Sequence, residues 1–196
     1  MRRRAGWRPA AGPAAGGAAV EVEGNDEAAE GAPGGLVQGP GGVVSRWCKS
    51  LPTSDAQQPA ARQRIVKRPR TRPTNVTGNL RLTQAGFEIE ANRYFREELF
   101  GDAEWVPVEG RDEYEQAHIP FWVEKDGAWE KHTLRVDYDV RRADHANEPT
   151  TVIKWGPVLR AWLRGHNRTG EWVVIEKDVE GAFWLSFRAE KPEWAP

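Results

Sequence analysis

The chain has 196 residues, room for one domain with an extension, and a single cysteine, Cys48, which excludes an intramolecular disulfide and a cysteine-based zinc site. Its formal charge of −1 hides a split: Met1 to Gly78 holds 12 Lys+Arg against 6 Asp+Glu, and Asn79 to Pro196 holds 16 against 23. The acidic part argues against a broad phosphate-binding surface and leaves room only for a local patch.

In chain order, Met1-Arg2-Arg3-Arg4 is basic but lacks the leucine-rich stretch of a signal peptide after it, and no apolar run approaches membrane-spanning length. The expectation is an untargeted cytoplasmic protein with no membrane partner. Residues 1–45 are Ala/Gly/Pro/Glu low complexity that cannot bury enough surface to offset chain entropy, and they are expected to be disordered. Residues 46–78 read as a linker. Across the boundary of these two stretches, Val43 to Gln58 resembles an ordered piece without a packing partner, with Trp47, Leu51 and a helix-start signal at Ser54. Arg62, Arg64, Lys67, Arg68, Arg70 and Arg72 follow with no acid among them, either a solvated linker or a non-specific phosphate-binding arm.

The folded domain is expected over 79–190, with 191–196 as a tail. Leu80, Leu82, Phe87 and Ile89 suggest a bent strand pair around Thr83–Gly86. Asn92 is placed to cap a short helix carrying Phe95 and Leu99, which Gly101 ends. Glu104 to Val108 is a short strand. Ile119–Lys125 and Ala128–Tyr138 flank Asp126-Gly127, the strongest hairpin signal in the chain, with Leu134, Val136 and Tyr138 alternating inward. Val140 to Pro149 is a polar loop.

A β-branched run from Thr150 then leads into a second helix, where Pro157 occupies the first turn and Gly165 the expected left-handed cap. Val158, Leu159, Trp162 and Leu163 form its apolar face, and Trp162 and Leu163 are expected to be buried. Glu171–Lys177 and Ala182–Arg188 close the chain as strands around an Asp178–Gly181 turn. Eight of the ten tryptophans fall after residue 79, a large apolar payload for one core.

Few residues carry catalytic chemistry. The four histidines, His118, His132, His145 and His166, are scattered without helical zinc spacing. No His and no Asp or Glu is followed two residues later by Lys, so the usual nuclease signatures are missing. Neither metal nor cofactor is expected. Asp137 and Asp139 share one strand face, read as a solvated face with a magnesium site as the lesser alternative.

Two polar sets remain. Arg141, Arg142, His145 and Asn147 cluster in the loop after the second hairpin strand, and arginine and asparagine are the usual bidentate partners of guanine and adenine. Arg81, Thr83, Gln84, Asn92 and Arg93 form the other set near the first strand and helix.

The succession of strand, polar loop, helix (Asn92-Arg-Tyr-Phe-Arg-Glu-Glu-Leu-Phe100), hairpin, polar loop, strand and helix (Trp155-Gly-Pro-Val-Leu-Arg-Ala-Trp-Leu-Arg164) ends in Arg168-Thr-Gly-Glu-Trp-Val-Val-Ile-Glu-Lys177. This order is similar to the plant B-three transcription-factor domain and to the effector domains of the EcoRII, BfiI and NgoFVII restriction endonucleases. The family's Gly-Asp-x-Val after the second helix stands here as Gly170-Glu171-Trp172-Val173. The resemblance is nearest to the NgoFVII type and covers roughly Trp47 to Arg188. It implies a mainly β, seven-stranded open pseudobarrel with two short helices that binds double-stranded DNA sequence-specifically.

By the same resemblance an N-terminal arm (Arg81 to Arg93) and a C-terminal arm (Asp137 to Asn147) enter the major groove, with Lys154 or Arg168 on phosphate. The nuclease of that family is missing, replaced by low complexity. The chain then reads as the specificity module of a type II restriction endonuclease, partnered by a separate nuclease subunit, or as a truncated relic of one. The rival reading is a protein- or carbohydrate-binding β-domain whose exposed tryptophans form the contact surface.

Overall fold

The computed structural model describes residues 37–58, 76–144 and 149–196. The fold is mainly β: one sheet curls into an open half-barrel of seven strands, accompanied by two short helices. The strands are β1 (Val43–Ser50), β2 (Asn79–Arg81), β4 (Tyr114–Lys125), β5 (Ala128–Asp139), β6 (Thr151–Lys154), β7 (Trp172–Asp178) and β8 (Phe183–Arg188). They run in the order β1-β7-β8-β4-β5-β6-β2, and the two-residue β3 (Val106–Pro107) attaches beside β4. All pairings are antiparallel except β4 with β8, where Phe121 lies opposite Phe183.

Alternation decides which face is core. Ile119, Phe121 and Val123 of β4, Leu134 and Val136 of β5, and Ile175 and Leu185 of β7 and β8 point into one apolar cluster. The β4–β5 hairpin is long because its turn suits the sheet's twist: Asp126 and Gly127 both take positive φ, 53° and 83°. Helix α1 (Ala91–Tyr94) runs into a wider turn over Phe95–Leu99 that drops Phe95, Leu99 and Phe100 into the core. Asn92 does not cap it; the helix starts one residue earlier and receives no side-chain cap. Gly101 is required where it stands, since a Cβ there would collide with the Glu97 carbonyl.

Helix α2 (Gly156–His166) buries Leu159 and Leu163. Asn167, with φ of 42°, takes the left-handed cap expected at Gly165. Trp162 is only half-buried, against the expectation of burial, because its indole lies at the helix edge and donates to Asp126 Oδ2 at 3.1 Å. Val158 is exposed.

The largest departure lies before residue 79. Val43–Ser50 is not part of a linker; it is an edge strand paired with β7 over Val43↔Asp178 to Ser50↔Trp172. Trp47 is fully buried and meets Phe95 edge-on at 5.3 Å. The partner that this segment lacks locally is supplied by a strand far along the chain, with Trp47 opposite Ile175. The 191–196 tail is also engaged: Trp194 packs on Phe87 and lies beneath the Arg46 guanidinium at 4.5 Å. None of the described helices is long and apolar enough to cross a membrane.

Candidate nucleic-acid interface

On β5 the residues that alternate with the inward Leu134 and Val136 lie on the other face: Arg135, Asp137 and Asp139. Pairing of Asp137 with Val152 places Lys154 of β6 on that same face. Asp137 and Asp139 are 3% and 7% exposed, so this is not the solvated carboxylate face expected. Cations cover them. Arg135 Nε lies 2.9 Å from Asp137 Oδ1, and Lys154 Nζ lies 3.2 Å from Asp137 Oδ2. Arg141 grips Asp139 with two bonds, Nε to Oδ1 at 2.9 Å and Nη2 to Oδ2 at 3.1 Å, and Arg142 Nε stands 3.4 Å from Oδ2.

The hydrogen bond from Arg141 outweighs burial and holds the Asp139 carboxyl below its usual range. Tyr114, opposite Asp139 on β4, is pushed up to about 12 by burial and by its hydrogen bond to Asp137. Two buried carboxylates thus organise four cations into one outward patch. No group of three or more metal-ligating side chains occurs among the described residues.

The residues of the other set do different work. Arg81 Nε binds Asp55 Oδ1 at 3.0 Å, its backbone N–H donates to Oδ2 at 3.2 Å, and its Nη2 donates to Ser54 Oγ at 3.0 Å. Lys49 Nζ meets Asp55 Oδ2 at 2.6 Å and also donates to the Arg81 carbonyl. Burial pushes the Lys49 pKa down against the pull of Asp55. The Asp55 carbonyl accepts from Trp155 Nε1 at 2.9 Å. Asp55 is therefore the bolt joining β1 to β2 across the mouth of the half-barrel, and Arg81 is committed to it.

Thr83 is half-buried and gives its carbonyl to Trp47 Nε1 at 2.9 Å, while Gln84 is exposed in the following turn. Asn92 is exposed, and its carbonyl accepts from Thr150 Oγ1 at 3.4 Å, which ties α1 to the start of β6. Arg93 forms a bidentate pair with Glu97 at 3.0 and 2.9 Å. An open cleft of about 400 Å³, walled by Lys49, Arg81, Thr83, Pro149 and Trp172, lies where these segments approach the end of the β5–β6 connection.

The structure thus brings Arg141, Arg142 and Lys154 together and adds Arg135, which the sequence reading passed over although its place beside Asp137 in the β5 alternation was legible. Arg168 is engaged elsewhere: it binds Glu171 at 2.9 Å and lies over Trp162 at 4.9 Å. His145 and Asn147 lie outside the described residues, as does the basic run 62–72.

Of the eight tryptophans after residue 79, none is fully exposed. Trp122 stacks on Trp184 at 5.7 Å, Trp129 meets Trp184 edge-on at 5.0 Å, and Trp184 donates to Asp178 Oδ2 at 2.8 Å. The tryptophan surface of the rival reading is largely spent on packing. Comparison with protein-family models, curated proteins and solved structures finds no match to the chain.

Proposed function

We propose that this chain is a sequence-specific double-stranded DNA-binding module that grips the duplex with the β5–β6 end of the half-barrel. The observation that carries the reading is the outward patch of Arg135, Arg141, Arg142 and Lys154, four cations gathered over two carboxylates on a domain that is acidic overall. Topology supports it. The acid-free basic run 62–72 falls between β1 and β2, inside the domain rather than ahead of it, so its described flanks Gln58 and Val76 both belong to the folded unit. The arms of the grip are the segment Arg81 to Arg93, where Gln84 and Asn92 are exposed, and the segment that begins at Asp137.

In the restriction setting that the B-three-like resemblance implies, this chain reads the sequence, and a separate nuclease subunit cuts. A cytoplasmic location fits that role.

Fluorescence anisotropy against duplex DNA over a salt series tests the reading. Phosphate contacts release counterions, so the affinity should fall steeply and linearly in log–log form with salt. The Arg141→Ala/Arg142→Ala double variant should bind weakly and flatten that slope. Affinity that ignores salt overturns DNA binding and favours the rival protein- or carbohydrate-binding reading, and affinity that the double variant leaves unchanged overturns the role of this loop.

A further inference from the structure

Building on the DNA-binding reading, we infer that Arg141 reads a guanine in the major groove and that Asp139 is the positioning residue that makes it a base reader rather than a phosphate contact. An arginine fork has five N–H donors. Asp139 takes the Nε edge, accepting from Nε at 2.9 Å and from Nη2 at 3.1 Å. Of the remaining donors, one hydrogen of Nη1 and one of Nη2 lie side by side along the end of the fork. Two parallel donors at that spacing match the O6 and N7 acceptors of guanine. Adenine and cytosine set an amino donor against the fork, and thymine offers a single acceptor.

The rest of the environment agrees. The Arg141 side chain is 50% exposed, whereas the Asp139 side chain gripping it is 10% exposed. Asp139 is itself anchored, since its backbone N–H donates to the Thr150 carbonyl at 2.8 Å and it sits in register with Tyr114. The fork is thereby oriented before any duplex arrives, and the rotamer entropy that binding would otherwise cost is already lost. The carboxylate also offsets the charge of Arg141, which weakens its pull on phosphate without altering its hydrogen-bond pattern. Lys154, a point charge without a fork, has no such geometric preference and suits phosphate.

Selection from a library of randomised duplexes with the full chain, followed by anisotropy on the selected site, tests this. The wild type should enrich a G·C pair at one position. Arg141→Lys, which keeps the charge and loses the fork, should lose that preference by about tenfold or more while the salt slope stays the same. Asp139→Asn should lose the same preference and bind random duplexes no more weakly than the wild type, because a negative charge has been removed. Should Asp139→Asn melt early, the exposed Arg141→Lys change still decides the matter.

Retention of the G·C preference by Arg141→Lys overturns the inference. Equal weakening on all sequences does so too, placing Arg141 on phosphate and leaving the DNA-binding reading intact. A wild type that binds no duplex at all removes both.

Discussion

Asp55 and Asp139 each hold two cations, yet they sit in environments that give the two clusters opposite purposes. Asp55 is fully buried, and its partners come from β1, the turn after it and β2. Every oxygen it owns is used, and its backbone carbonyl holds Trp155. Asp139 is screened by arginines that themselves face water, with Arg141 half exposed. A charge pair in a dry site is costly to break, because the survivor is left without solvent. Where the cations of a pair face water, solvent makes up part of the loss and the pair contributes less to stability. The comparison teaches that an arginine beside an aspartate is assigned by what surrounds the carboxylate, not by the pair itself.

The strongest way to break this contrast is to delete one side of it. A fragment beginning at Asn79 lacks β1, Trp47 and Asp55, and it should show no cooperative thermal transition by circular dichroism. A fragment beginning before Val37 should melt cooperatively. If the shorter fragment folds, the Asp55 bolt is dispensable.

Next in size is Asp55→Asn in the full chain. It leaves the Lys49 ammonium buried against a neutral amide and should cost about 3–5 kcal/mol in urea unfolding.

A third carboxylate sharpens the contrast through pH. Burial pushes Asp178 up, but bonds from Trp184, Ala182, Glu180 and Gly181 outweigh it, and its pKa lies below the ordinary 3.8. The unfolded chain therefore takes up that proton first as pH falls. The contribution of Asp178 is complete above the ordinary carboxylate range and is lost as pH drops through its folded value. Asp178→Asn should lower stability at neutral pH and make the acid limb of the stability profile shallower. An unchanged acid limb would mean that the turn bonds do not bias the carboxylate.

The smallest effects belong to the exposed pairs. Arg93→Ala should leave the urea midpoint where it is, since both partners face water, and Arg141→Ala should lower it only slightly, since Asp139 keeps Arg142. A clear fall for Arg141→Ala would move the Asp139 cluster to the structural side of the comparison.

Local features of the chain were legible. Asp126-Gly127 announced its hairpin because only a few residues tolerate positive φ twice in succession. Leu134 and Val136 declared their face by alternation, and Pro157 marked the first turn of α2. Strand β1 was not legible: Val43–Ser50 has no local partner, and nothing near residue 47 states that Trp172–Asp178 will lie beside it. The candidate site was half visible. Arg141 and Arg142 were chosen by residue type and Lys154 by the resemblance, but residue type also chose Arg81, whose guanidinium is committed to Asp55.

By itself the sequence determined the hairpin, the two helices and the division of β5 into an apolar and a charged face. These follow from backbone sterics and from periods of two and 3.6 residues, which act between near neighbours. Only the tertiary structure decided that residues 43–58 belong to the barrel, that Trp162 stays at its rim, and that Asp137 and Asp139 are covered. It also decided which carboxylate each arginine meets. The physical reason is that burial and charge pairing are properties of the space around a residue. That space is filled by segments that chain order keeps far apart.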